Sequence, residues 1–436
     1  MRMNSTYISK LEMPVRAEGS RLGLHGLASG VIWTISASIA AALSQWMLLM
    51  VTAKLATAEI VGQLAMSLAI VAPIQALTDL ALRPALATDA RGDFAFRDYM
   101  RLRGVMITIF LAIVGAVAFV RGGPAAPIII AIGLQKAIES VCDLFFGLFQ
   151  RADRLQWMGQ SVVMRSTLAS LAFLTVMMTF GDLLVACLAG LLVRIGVLVL
   201  HDLGRVSALT DAGVDDRAGE NRSSKLFRAS LPLAVAAFLM SFTVNIPRYV
   251  LEKRSGVAML GVFAALVYLF QAGAIFVDAV GQAACSRLSQ FHMLGNEREF
   301  HSLLFKFVAA AAAVAGCGVL VAFTCGQPLL MIVYSPAFAT QTKTFLWLSV
   351  CAVPWYCSSV LGYGLVAKRQ MKALFVCQLT SLLATLAGAY WLIGADGLLG
   401  ACEVVFLTYS VQLGLYLLIL WRVRDGAEVF PSETRS

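Results

Sequence analysis

The sequence predicts an all-α polytopic membrane protein: about twelve transmembrane helices in two six-helix lobes, related by a parallel repeat around a central cavity. Three observations predict it. Of the 436 residues, 59% are hydrophobic and 14% charged, against about 45–50% and about 25% in a soluble globular protein. The mean hydropathy is +0.81, so the surplus apolar surface belongs in lipid. Finally, apolar blocks near the ~20 residues that cross a bilayer as a helix recur along the whole chain, and the second half weakly repeats the first.

The first block is free of charge from Gly26 to Ala53. It is too long for a signal-peptide core, so residues 1–27 read as a tail and 28–52 as a retained helix. The next spans fall at 60–81, 103–120, 124–147, 158–180 and 183–203. After the polar stretch 204–227, spans follow at 228–250, 257–284, 303–325, 343–366, 372–394 and 397–421, and 422–436 form a second tail. The run 326–342, with Pro328 and Pro336, reads as a connection too broken to span. Pro73, Pro232, Pro247 and Pro354 lie inside spans as candidate kinks, and Trp157, Trp391 and Trp421 fall at expected interfaces. The N-lobe is thus 28–203, the linker 204–227 and the C-lobe 228–421.

Lys and Arg are retained on the cytoplasmic side. With the N-terminus inside, 25 of the 34 basic residues fall on that side and 6 on the other. The protein is therefore expected in the cytoplasmic (inner) membrane with both termini cytoplasmic. The net charge of +9 follows this topology rather than nucleic acid. At an offset of 199 residues, Lys54 matches Lys253, Gly62 matches Gly261, Ala65 matches Ala264 and Asp79 matches Asp278. Six spans per half give two copies of equal orientation, an architecture in which the substrate path runs between the halves.

Other classes fit poorly. The nine cysteines include no CxxC pair, and His25, His201, His292 and His301 are scattered, so neither a disulfide framework nor a metal site is expected. No Walker A loop is present, and no bound cofactor is expected. A membrane polymerase or ligase would need a substantial outer loop with catalytic groups. The longest outer connection, 326–342, contains no acid or histidine.

Ionisable groups inside spans face a cavity or each other, because lipid exposure costs several kcal/mol. Lys136, Arg165 and Arg194 are the three bases within spans. Arg194 is too deep to snorkel, and reads as facing a cavity or as the buried partner of a carboxylate such as Asp143. Arg165 is close enough to the inner surface for snorkelling to compete. Lys136, Glu139 and Asp143 share one helix face at i, i+3 and i+7, either as a Lys–Glu pair or as a cavity wall with a titratable or cation-binding carboxylate. Asp278 reads similarly, or as a partner of Arg287 or Arg165. Asp79 reads as paired with Arg83. Arg248, Lys253 and Arg254 form an outer basic cluster beside Glu252, and Glu403 is given no role.

Several segments carry a specific likeness. The run from Gly62 through Pro73 to Asp79-Leu80-Ala81-Leu82-Arg83 resembles the second helix of the polysaccharide transporter (Wzx-type oligosaccharide flippase) family. That family belongs to the multidrug/oligosaccharidyl-lipid/polysaccharide exporter superfamily. Phe146-Gly147-Leu148-Phe149-Gln150-Arg151, Leu231-Pro232-Leu233, Asn245-Ile246-Pro247-Arg248-Tyr249, Leu260-Gly261-Val262-Phe263 and Gly397-Leu398-Leu399-Gly400-Ala401 are similar to its patterns. The likeness spans 28–421. It implies a non-enzymatic flippase working by alternating access, moving undecaprenyl-pyrophosphate-linked oligosaccharide for surface polysaccharide. A polysaccharide polymerase and a chain-length regulator are the partners implied beside the lipid-linked oligosaccharide and membrane lipid. Arg194, Arg165, Lys136 and Arg248 then become candidate headgroup ligands, since guanidinium grips phosphate bidentately. Glu139, Asp143 and Asp278 become candidates for coupling H+ or Na+. The rivals are a multidrug exporter of the same superfamily, which would bind organic cations, and a passive scaffold of polysaccharide assembly.

Overall fold

The computed structural model describes residues 24–89, 93–210, 222–334 and 336–424. The first half holds α1 (Leu24–Leu55), α2 (Ala58–Thr78), α3 (Phe96–Arg121), α4 (Ala125–Arg151), α5 (Leu155–Thr179) and α6 (Leu183–Val197). The second holds α7 (Arg222–Ser255), α8 (Val257–Met293), α9 (Glu297–Val333), α10 (Thr342–Ala367), α11 (Met371–Asp396) and α12 (Leu398–Arg424). A short helix, Leu82–Thr88, follows α2, while α6 continues through a π-helical turn, Leu198–Asp202, into Leu203–Thr210. Among the described residues eleven helices are long and apolar enough to cross a membrane. The remaining long helix, α4, has 27 residues, about 40 Å at 1.5 Å per residue, and carries Lys136, Glu139 and Asp143 on its inward face.

Two boundaries differ from expectation. Residues 326–333 are not a loop: α9 continues to Val333 beyond a kink at Cys325, whose backbone (φ −125°, ψ 16°) is non-helical. Pro328 is the cause, since it cannot donate to the carbonyl four residues back and its ring crowds it. The linker is helical at both flanks, 204–210 and 222–227, and its centre, 211–221, lies outside the described residues, as do most of both tails.

Within the N-lobe α1 packs on α5, α5 on α6, and α4 against α2, α3 and α6; in the C-lobe α10 packs on α8, α9 and α12, and α11 on α7 and α12. The lobes meet chiefly where α2 crosses α8 and α7 and where α1 meets α8. At the crossing of α2 and α8 the backbones touch. A Cβ on Gly62 would overlap the carbonyl oxygen of Val257, and one on Gly261 would overlap that of Ala58. Val257 stands 199 residues after Ala58, as Gly261 stands after Gly62, so the repeat seen in the sequence becomes a reciprocal pair of contacts. Ala65, Met66, Ala69, Leu260 and Ala264 extend the seal. Tyr249 donates across it to the Ala69 carbonyl, Arg121 pairs with Glu252, and Lys54 donates to the Ile332 carbonyl at 3.0 Å. All these contacts lie at the end of the bundle where α1 turns into α2. A single residue, Gly256 (φ +87°), turns α7 into α8 there, a conformation that L side chains resist.

At the opposite end α2 stops at Leu80 and Ala81, both left-handed (φ 48° and 47°), a geometry costing about 1–2 kcal/mol per non-glycine residue. Asp79, just before the break, accepts from Arg103 at 2.6 Å, and Ser140 of α4 donates to the same oxygen. Arg103 is 1% exposed. The break is therefore pinned by a buried ion pair rather than by a glycine.

Substituting Gly62→Val should separate α2 from α8. In an Ala58→Cys/Val257→Cys background, cross-linking between those positions should fall at least about tenfold; an unchanged yield would mean that the backbones do not depend on glycine to meet.

Candidate functional site

A cavity of ≈ 220 Å³ opens in the N-lobe among α1, α2, α4, α5 and α6. Lys136, Arg165 and Arg194 line it, each near the middle of its helix, together with Glu139, Gln135 and Gln45. Glu139 grips two of the cations: its Oε2 lies 2.6 Å from Lys136 Nζ and its Oε1 3.2 Å from Arg194 Nε. Arg194 also donates to the Gly190 carbonyl at 3.2 Å, and its side chain is 16% exposed. Gly190 makes room for it, since a Cβ there would stand 3.2 Å from Arg194 Nη1. Gln135 is held by donating to the Cys187 carbonyl at 2.6 Å.

Arg165 differs from the other two. Its guanidinium lies 5.3 Å from the Phe146 ring centroid, and its Nη1 is buried without a hydrogen-bond partner. An unpaired buried donor costs about 1–3 kcal/mol. The cavity thus sets three cations against one carboxylate.

The structure brings four of the seven sequence candidates together here: Lys136, Glu139, Arg165 and Arg194. Asp143 lies one turn along α4 from Glu139 and is held by Arg83 at 3.1 Å. Arg194 accordingly takes Glu139, not Asp143, as its carboxylate. Arg83 also donates to Gln150 Oε1 at 3.1 Å, which leaves Asp79 to Arg103 rather than to Arg83. Asp278 accepts from the Ser359 hydroxyl across the α8–α10 contact, with neither Arg287 nor Arg165 as its partner.

Arg248 corrects the reading of an outer basic cluster. It lies about two turns inside α7, is 7% exposed, donates to Asn245 Oδ1 at 2.8 Å and sits 5.6 Å from the Tyr268 ring centroid. Lys253 and Arg254 remain exposed at the helix end, while Glu252 is taken by Arg121 of the other lobe. Gln135 and Gly190 escaped the sequence analysis because glutamine and glycine are frequent in spans; only the four-residue step from Gly190 to Arg194 could have signalled the pair. Among the described residues no group of three His, Cys, Asp or Glu side chains is placed to hold a metal.

Fold and cavity together define a two-lobed membrane transporter architecture. No protein-family profile matches the chain. It is 24% identical over 387 residues to the capsular polysaccharide biosynthesis protein CapF of Staphylococcus aureus, covering 89% of this chain and 97% of that one. Over 121 residues it is 30% identical to the lipid III flippase of Escherichia coli K12, 27% of this chain and 28% of the other. Among solved structures, an inward-facing multidrug resistance MATE transporter of the MOP superfamily superposes with a TM-score of 0.69 at 14% identity. That match covers 91% of this chain and 94% of that one. The lipid II flippase MurJ, inward closed, gives a TM-score of 0.69 at 9% identity, covering 93% and 94%. The chain has the fold these solved transporters share, and its sequence likeness to CapF runs nearly end to end.

Replacing Glu139→Gln should release Lys136 and Arg194 and strengthen binding of inorganic diphosphate by roughly tenfold, about 1.4 kcal/mol. Calorimetric titration of the detergent-solubilised protein reads this directly; weaker binding would mean that Glu139 positions the cations rather than competing for them.

Proposed function

We propose that the protein is a flippase that moves a polyprenyl-diphosphate-linked oligosaccharide from the cytoplasmic to the outer leaflet during surface polysaccharide synthesis. The supporting observation is the N-lobe cavity, with Lys136, Arg165 and Arg194 against Glu139 alone and an unpartnered donor on Arg165. A diphosphate supplies the negative charge and acceptor oxygens such a cavity lacks. The polyprenyl tail stays in lipid while the headgroup passes between the lobes. An organic cation, the cargo of a drug exporter, would be repelled by the same excess of positive charge.

In this reading the Lys/Arg-rich end faces the cytoplasm. The seal of Gly62 on Val257 and Gly261 on Ala58 then closes the periplasmic side. Turnover requires that seal to part, together with the Arg121–Glu252 pair. A coupling cation, H+ or Na+, is assigned to Asp278, since Glu139 and Asp143 are both engaged by cationic side chains and Asp278 is met by a neutral hydroxyl. Arg248, a candidate headgroup ligand, lies outside the N-lobe cavity, buried against Asn245 and Tyr268. A polymerase and a chain-length regulator are the partners that would consume the product.

Leaflet sidedness of the lipid-linked oligosaccharide tests the proposal in cells lacking this protein and any redundant flippase. The substrate should accumulate on the cytoplasmic side, wild type should restore the outer pool, and Arg194→Ala at equal abundance should restore less than about a tenth of it. Normal sidedness without the protein would end the flippase reading.

A further inference from the structure

Polar and cationic side chains continue along the helices that carry Arg165 and Arg194, beyond the lining of the cavity. Along α5, Arg154, Ser161 and Arg165 follow at i, i+7 and i+11. Along the antiparallel α6 and its extension, Arg194, His201 and Arg205 follow the same spacing. Eleven residues of helix rise about 16 Å, half of the ~30 Å hydrocarbon thickness, so the two rows run from mid-membrane to the Lys/Arg-rich surface. At that surface Arg154 and Arg205 meet a single indole. The guanidinium carbon of Arg154 lies 5.4 Å and that of Arg205 5.6 Å from the Trp157 ring centroid.

The second cation is held in place by a buried relay. Arg205 donates to Gln160 Oε1 at 3.2 Å and to His201 Nε2. His201 Nδ1 faces Asp202 Oδ1 at 2.8 Å. Asp202 is 0% exposed and its other oxygen accepts from Ser161 Oγ at 2.9 Å. His201 and Asp202 sit in the π-helical turn Leu198–Asp202, an insertion that shifts the register of the last turns of a helix and recurs at functional sites. Asp202 balances Arg205 only through the imidazole. Among the described residues neither Arg154 nor Arg205 forms an ion pair, and Arg154 is exposed.

We propose that Arg154, Trp157 and Arg205 form a surface docking site for the diphosphate of the lipid-linked substrate, one half-membrane below the cavity that later holds it. The inference rests on the function proposed above. Two guanidiniums on the faces of one aromatic ring offer a forked set of donors matched to adjacent phosphates. Indole at the interface covers the first, apolar units of the polyprenyl chain. The site would collect substrate from the cytoplasmic leaflet before the headgroup moves inward.

The full-length protein in phosphatidylcholine nanodiscs, titrated with farnesyl diphosphate, tests this, with indole emission read as the difference between wild type and Trp157→Phe. The expected result is a saturable Trp157 response. It should persist in Arg194→Ala and require about tenfold more ligand in Arg154→Ala, whose exposed side chain meets the fold at the Trp157 ring, with partial recovery in Arg154→Lys. A silent Trp157 while wild type still binds the ligand would overturn the docking site and leave the flippase reading standing. Absence of any binding by wild type would remove both. An equal response to phosphatidylglycerol at the same mole fraction would overturn the assignment to a diphosphate in favour of bulk lipid, and an equal response in Arg154→Ala would place the ligand elsewhere.

Discussion

Everything in the N-lobe depends on keeping an excess of positive charge in the middle of a membrane. A single Arg or Lys at a helix centre costs about 2.5–3.5 kcal/mol on insertion scales, and this lobe holds three at one level. Glu139 bridges two of them, Phe146 covers one side of the third, and the remaining charge must be met by water or ligand. The surrounding structure serves that arrangement. The charged helix α4 is enclosed by α2, α3 and α6, so its polar face never meets lipid. Gly190 gives Arg194 its space and Gln135 ties α4 to α6.

The same charge explains why the two lobes need different interfaces at their two ends. A binding site at mid-membrane is useful only if one end can close, and closure here is made by backbone contact rather than by large side chains. Glycines at symmetric positions let α2 and α8 touch reciprocally. Small residues support them, and one salt bridge and one lysine-to-carbonyl hydrogen bond lie at the rim. Such a surface combines close backbone packing with a few polar contacts. Its near two-fold character is the surviving trace of the internal repeat.

Hydropathy made the helices legible, because twelve blocks of lipid-facing residues leave a strong signal one after another. The matched glycines at an offset of 199 were legible too, and they proved to mark the point where the lobes touch. The co-location of Lys136, Arg165 and Arg194 could be suspected from depth alone. Ion-pair partners could not: Glu139 and Asp143 share one helix while Asp79 stands at the end of another, and which arginine each receives depends on how α3, α6 and the short helix after α2 are placed. Arg248 misled for a similar reason, since its neighbours Lys253 and Arg254 lie at the surface while it turns inward against Tyr268. The continuation of α9 beyond Cys325 was hidden by Pro328, which bends that helix but does not end it.

The central claim is that the diphosphate of a lipid-linked substrate sits against Arg165 and Arg194. A structure of the protein in lipid with polyprenyl diphosphate bound tests it most directly. The account predicts phosphate density within hydrogen-bonding distance of Arg165 Nη1 and of the Arg194 guanidinium, with the chain leaving toward the bilayer. Phosphate density in the C-lobe, with Arg165 Nη1 still unpartnered, would contradict it.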